Sequence, residues 1–460
     1  LSRPLVACVD FGSTFTKAAL VERGTGRLVA TADHPTTLAT DVLDGWRACR
    51  DDLTAADPRA ADAQVLACSS AGGGLRIAVV GNEALVTAEA GRRVALSSGG
   101  TVVAVLATAD TGGLRDLTAL RACDPDVVLL VGGTDGGEED SLRTSATALA
   151  AGGWDLPVVV AGNAVVQPEV AATLADGGVP HVLAANVVPR IGVLAPEPAR
   201  ATVREVFLRH VIGGKQLSAD PAFAALVRGA TPDVVLSGVE LLASLVGDVV
   251  VVDVGGATTD VHSCVEPDPE ARDVVAQARA QRTVEGDLGM RWSAPTTVAT
   301  DPGASPDLHA AARRRQAEPA YLPGSAADRA DDERIATLAV TTALRRHAGR
   351  SQVVYDERGR VLVSSGRDLR EVELVVGSGG ALRHVDAATA KRVLAAAHTG
   401  GSADGWQLPE HPRVLVDHRY VLAAAGLLAD DDPVTAAALL RTELTGAGTL
   451  TQWPRGPGSD

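Results

Sequence analysis

Val9-Asp10-Phe11-Gly12-Ser13-Thr14-Phe15-Thr16-Lys17 and Val252-Asp253-Val254-Gly255-Gly256-Ala257-Thr258-Thr259-Asp260 match in register, about half the chain apart. In each, an apolar run ends in Val-Asp, Gly follows two positions on, small or hydroxyl residues turn, and a second strand-like run returns. A glycine in a tight turn lets backbone N–H groups approach an anion with no side chain in the way. Either motif alone reads equally as a plain β-hairpin with a glycine turn. Two in register point to two related halves that share one phosphate-bearing ligand. Gly12, Ser13, Thr14, Gly255, Gly256, Thr258 and Thr259 are then the phosphate-binding candidates, with Lys17 as a point charge on a phosphate oxygen. Asp10 and Asp253 cannot face phosphate without a cation between, so they imply Mg²⁺ held largely through water. They are also the catalytic candidates. A third element, Leu374-Val375-Val376-Gly377-Ser378-Gly379-Gly380-Ala381-Leu382, runs from a strand through glycines into a helix. Its place after the second loop assigns Gly377, Ser378, Gly379 and Gly380 to the adenosine of ATP, although glycine-rich strand-to-helix turns are common.

Outward from these motifs, the opening reads as a hairpin over Leu5–Phe11 and Thr16–Val21, a strand at Leu28–Thr31 and a helix over Asp41–Ala56. From 61 to 197 the rhythm changes. Apolar runs at Val65–Ser69, Val102–Ala107, Val127–Val131, Val158–Ala161 and His181–Ala184 alternate with helix-like stretches such as Asn82–Leu96 and Asp140–Ala150. That alternation predicts parallel βαβ units, with Gly132–Gly137 and Gly162-Asn163 as loops or plain turns. The opening pattern returns at Val249–Val254 and Thr258–Val265. Pro295–Asp332, rich in Pro, Ala, Asp and Arg, reads as a mobile surface excursion. A helix over Asp332–His347, a hairpin over Val353–Ser364 and a strand over Glu373–Val376 follow. Helices are expected over Ala387–His398, Asp417–Leu428 and Pro433–Leu444, with a frayed tail over Gly446–Asp460.

Composition narrows the function classes. The 460 residues are 46% hydrophobic and 22% charged, which buries a core and excludes a largely disordered chain. The net charge of -15 argues against nucleic-acid and anionic-membrane partners. Five scattered cysteines with no Cys-x-x-Cys argue against a disulfide scaffold or zinc site. No apolar run reaches the ~18 residues of a spanning helix, so a cytoplasmic protein is expected. Lysine occurs only at Lys17, Lys215 and Lys391.

Together the motifs resemble the actin / Hsp70 / sugar-kinase superfamily. The resemblance implies an α/β, actin-like (ribonuclease H-like), two-lobed ATPase fold around a nucleotide cleft, with an inserted βαβ domain. Residues 1–60 and 198–246 would form the first lobe, 61–197 the insertion and 247–390 the second lobe with the adenosine loop. Residues 391–460 would supply C-terminal helices and the frayed tail. Thr258 and Asp260 stand where Hsp70 proteins have Thr and Asp, and Glu285-Gly286-Asp287-Leu288-Gly289-Met290 where they have a Gly/acid-rich stretch. Thr231-Pro232-Asp233 falls where they carry Glu-Pro; the Glu is missing, which leaves the group orienting the attacking water open. A more specific resemblance, through Val6–Leu20, Ala67–Arg76, Leu130–Gly137, Val159–Asn163, Asn186–Val193 and Val251–Ser263, is to the MutL/GlmL family. These are glutamate mutase (methylaspartate mutase) accessory proteins, unrelated to the mismatch-repair protein of similar name. The resemblance implies a chaperone-like ATPase that reactivates an adenosylcobalamin-dependent mutase by releasing damaged cofactor. Nothing in the residue chemistry itself indicates cobalamin. The alternatives are a small-molecule kinase on the same fold and a nucleotide-gated filament protein.

Overall fold

A computed structural model describes residues 4–444, apart from 38–39, 72–74, 85, 99, 213–216, 221, 268–277, 357–358 and 396–404. The expected tail over Gly446–Asp460 and the end of the helix expected to reach His398 lie outside the described residues. The chain divides into two units. One holds Leu1–Arg23, Leu28–Leu236 and Pro267–Gln281; the other holds Gly24–Arg27, Ser237–Glu266 and Arg282–Asp460.

In the first unit, β1 (Leu5–Phe11) is buried along its whole length, as a strand covered on both faces requires. It pairs antiparallel with β2 (Phe15–Glu22), which pairs antiparallel with β3 (Leu28–Pro35). On its other side β1 runs parallel to β4 (Gln64–Ser69). Five strands then form a separate sheet: β5 (Arg76–Gly81), β6 (Thr101–Ala107), β7 (Val127–Leu130), β8 (Val158–Val160) and β9 (His181–Leu183). Every pair in it is parallel, in the order β6-β5-β7-β8-β9. Helices between the strands supply the crossovers that parallel pairing demands. The chain then returns to the first sheet as β10 (Val227–Ala230), parallel to β4. The first sheet thus has the order β10-β4-β1-β2-β3. β4 falls inside the 61–197 segment yet hydrogen-bonds to β1, so the separate sheet begins at Arg76.

In the second unit the same plan recurs. β11 (Val249–Val254) pairs antiparallel with β12 (Thr259–Cys264), whose other neighbour is β13 (Ala280–Glu285). After a hairpin of β14 (Arg350–Asp356) and β15 (Gly359–Ser365), β16 (Leu374–Ser378) runs parallel to β11 and β17 (Arg413–Val416) parallel to β16. The order β17-β16-β11-β12-β13 repeats that of the first sheet. A strand meander extended by two parallel strands beside its first strand, present once per unit, is the actin-like, ribonuclease H-like arrangement.

The stretch Pro295–Asp332 is a correction. It carries helices over Ala294–Val298 and Pro306–Ala317 and the start of the long helix Ala326–His347. Ser305 caps the second helix and Ser325 forms a capping box with Asp328 on the third. Arg315, fully buried, bonds to Asp332 and to the carbonyls of Ala311 and Asp328. Polar composition does not show that Arg315 is buried against Asp332 while Asp307, Arg313, Arg314 and Arg329 stay exposed on the same helices. Residues 413–416, just ahead of the expected helix at Asp417–Leu428, form β17, and that helix begins at Val421. Among the described residues no helix is long and apolar enough to cross a membrane.

Candidate functional site

In the first unit, β1 carries Asp10 to the carboxyl end of the sheet, where the chain turns through Gly12, Ser13 and Thr14 into β2. The turn is closed by the Gly12 N–H donating to the Phe15 carbonyl at 3.1 Å. A Cβ on Gly12 would stand 2.6 Å from that carbonyl oxygen, so glycine is required for the approach. The Thr36 hydroxyl donates to the Gly12 carbonyl at 2.7 Å and ties β3 to the turn. Ser13 and Thr14 are exposed at its tip. Asp10 is 4% exposed. Lys17 faces it across the β1–β2 register, with Nζ 4.0 Å from Oδ2.

Two residues that the sequence did not assign to the site touch the same carboxylate. The Thr231 hydroxyl donates to Asp10 Oδ1 at 2.5 Å, and the Cys68 thiol donates to that oxygen at 3.6 Å. Burial first, then the Asp10 charge, pushes the Cys68 thiol well above its ordinary range, so it remains a donor. Only the parallel register Asp10↔Cys68 reveals this contact. Asp233 does not join Asp10. It is 1% exposed and is held by Arg204 at 2.5 Å and Arg200 at 3.5 Å.

The second unit repeats the construction. Gly255 N–H donates to the Thr258 carbonyl at 2.9 Å, closing the turn after β11. In the parallel register Asp253↔Ser378, the Ser378 hydroxyl donates to Asp253 Oδ2 at 3.1 Å. Ser378 thus occupies the place that Cys68 takes beside Asp10. Gly379 adopts φ 88, ψ 164, a region open essentially to glycine. A Cβ there would stand 2.3 Å from the Val254 carbonyl oxygen and 2.7 Å from Asp253 Oδ1. Gly380 is exposed, with nothing near its Cβ position, whereas Gly377 is packed against Leu382 and Leu394. Of the four residues given to adenosine, Gly377 therefore serves packing and Ser378 steadies Asp253.

The stretch Glu285–Met290 borders the second turn. Met290 N–H donates to the Gly255 carbonyl at 3.0 Å and Arg291 N–H to the Gly256 carbonyl at 2.8 Å. Ser293 donates to the Ala257 carbonyl at 2.6 Å. Asp287 is engaged by Arg346 at 2.6 Å, which holds its carboxyl below the usual range despite partial burial. Gly256 and Thr258 are half-buried along the turn. Thr259 is fully buried and its hydroxyl is spent on the Leu288 carbonyl at 3.0 Å. Asp260 pairs with Arg282 at 2.8 Å.

Each turn by itself has a lining that fits phosphate and a hydrated Mg²⁺: in the first unit Asp10 offers hard oxygen beside Gly12 and the partly exposed cation Lys17. In the second unit Asp253 offers hard oxygen beside Gly379, where a Cβ would crowd it. No cluster of three or more His, Cys, Asp or Glu that could hold a metal ion occurs among the described residues. Mg²⁺ is commonly held by one or two carboxylates, waters and substrate phosphates rather than by an all-protein cage.

Comparison with known proteins places the chain. The family model described as MutL protein matches residues 6–444. Protein MutL of Clostridium tetanomorphum is 34% identical over 458 residues, covering 95% of this chain and 98% of that protein. Among solved structures, nucleotide-free acetone carboxylase aligns with a TM-score of 0.40 at 16% identity, over 93% of this chain and 70% of that one. Xylulose kinase from Bifidobacterium adolescentis aligns with a TM-score of 0.32 at 13% identity, over 95% and 93%. The structural likenesses are distant, and the assignment rests on the sequence matches across nearly the whole chain: this protein belongs to the MutL family.

Proposed function

We propose that this protein binds and hydrolyses Mg·ATP and uses the cycle as a chaperone-like accessory factor. It would reactivate an adenosylcobalamin-dependent mutase of the glutamate mutase type by promoting release of damaged cofactor. The observation that carries the ATPase part is the repetition, at the carboxyl end of equivalent strands, of an Asp followed by a glycine turn. In each case a neighbouring parallel strand donates a hydrogen bond to that Asp. The partner rests on the MutL family membership and the resemblance noted above.

Lys17 would neutralise a phosphate oxygen, and Ser13 and Thr14 would offer donors at the turn. Asp10 and Asp253 would hold Mg²⁺ through its waters and orient the attacking water. Bound Mg²⁺ supplies charge neutralisation on the transferring phosphoryl group, where positioning and electrostatics do most of the work. ATP and ADP differ at the γ-phosphate, so loops that contact it bind the two with different affinity, which is what a conformational switch requires.

The test inactivates a glutamate mutase with a cobalamin lacking the adenosyl group, then adds this protein, ATP, Mg²⁺ and fresh adenosylcobalamin. Activity should return with hydrolysable ATP and not with a non-hydrolysable analogue. ATP turnover in the absence of any small-molecule acceptor separates this reading from a kinase. A protein that turns over ATP only with an added acceptor, and restores no mutase, overturns it.

A further inference from the structure

The two oxygens of the buried Asp10 carboxylate have different surroundings. Oδ1 accepts the Thr231 hydroxyl at 2.5 Å and the Cys68 thiol at 3.6 Å. Oδ2 lies 4.0 Å from Lys17 Nζ and 3.9 Å from where a Cβ on Gly12 would stand, so it is the oxygen turned toward the glycine turn. The arrangement follows from the topology. β10, β4 and β1 are consecutive parallel strands, and their carboxyl ends bring Thr231, Cys68 and Asp10 to one edge. Thr231 directly follows β10 and begins the helix 231–246. Both donors are uncharged. They fix the carboxylate's orientation without cancelling its charge, as a salt bridge in the same place would.

We infer that Thr231, seconded by Cys68, is a positioning residue: its hydroxyl holds Asp10 so that Oδ2 alone faces the phosphate loop and serves the waters of a phosphate-bound Mg²⁺. This rests on the Mg·ATP reading above. Rotation of an unheld carboxylate would leave the charge in place but blur its direction. The loss should therefore appear in what Mg²⁺ adds to ATP binding, and not in ATP binding by itself.

The experiment is calorimetric titration of ATP into the full chain with Mg²⁺ and with EDTA, for wild type, Thr231→Val, Thr231→Ser and Cys68→Ala. The readout is the ratio of the two dissociation constants. Thr231→Val should reduce that ratio about tenfold, the scale of one hydrogen bond to a charged group, with metal-free ATP affinity unchanged. Thr231→Ser should keep the wild-type ratio. Cys68→Ala, which removes the weaker donor, should reduce it about two- to threefold, and carries the test if Thr231→Val does not fold. Variants that lower the melting temperature yet keep the wild-type ratio overturn the inference. Wild-type protein that gains nothing from Mg²⁺ overturns the Mg·ATP reading itself, a separate result.

Discussion

Two adjacent glycines should respond to alanine in opposite directions. Gly379 sits at φ 88, ψ 164 at the end of β16. Placing an L-residue in that region costs about 1–3 kcal/mol. The new Cβ would also stand 2.3 Å from the Val254 carbonyl oxygen and 2.7 Å from Asp253 Oδ1. Val254 belongs to the buried central strand β11, so relief requires moving backbone, at about 1–3 kcal/mol for such overpacking. Gly379→Ala should therefore destabilise the second unit by roughly 2–6 kcal/mol in all. Gly380 opens a short helix and has nothing near its Cβ position, so Gly380→Ala should stabilise by about 0.5–1 kcal/mol. Urea unfolding followed by circular dichroism, with wild type and both variants side by side, gives the shifts in midpoint. Because the displaced atoms include Asp253 Oδ1, Gly379→Ala should also weaken Mg·ATP binding, whereas Gly380→Ala should leave Asp253 in place. A Gly379→Ala protein as stable as wild type, or two variants shifting the same way, refutes the reasoning.

Other substitutions probe different links. Lys17→Ala should weaken ATP affinity, while Asp253→Asn should mainly lower turnover, by about 10²–10³ as for loss of one preorganised electrostatic contact; near-normal turnover in both argues against the assignment. Asp332→Ala leaves the fully buried Arg315 guanidinium without its carboxylate and should cost about 3–5 kcal/mol in denaturant unfolding. A loss within the noise would mean that the Ala311 and Asp328 carbonyls suffice. His347 is buried against Ser263 at 2.7 Å and Thr283 at 3.0 Å; burial, then the Arg367 charge, lowers its pKa to about 3. His262 is likewise pushed well below its ordinary value, by burial, then Arg282 and His347. For His347, a folded-state value of about 3 below the unfolded 6.5 means stability held above that pH and lost as pH falls from there toward 3, by up to about 1.4 kcal/mol per pH unit, and His262 acts in the same direction. Replacing His347 with Gln should flatten the stability–pH curve in that window, and an unchanged slope counts against a buried neutral imidazole.

How much of this was legible in advance varies by element. β1 and β11 announce themselves because a strand covered on both faces is an unbroken apolar run, here Leu5–Val9 and Val249–Val252 before each Asp. The helices within Pro295–Asp332 are not legible because a composition rich in Arg and Asp carries no sign of which charges pair. Arg315 and Asp332 are 17 residues apart and meet only when two helices pack. Thr259 reads as a ligand donor because it is a hydroxyl in the turn. Strand alternation instead directs it inward, to the Leu288 carbonyl.

By itself the sequence determined the two glycine turns, the Asp before each, and their common register, because these are local requirements of strand burial and backbone approach. Only the tertiary structure decided which side chains stand beside each Asp. Thr231 is 221 residues from Asp10 and Ser378 is 125 from Asp253. Parallel pairing alone brings them together, since each strand reaches the same edge of its sheet only after the chain has crossed back, and no local pattern records where a distant strand will arrive.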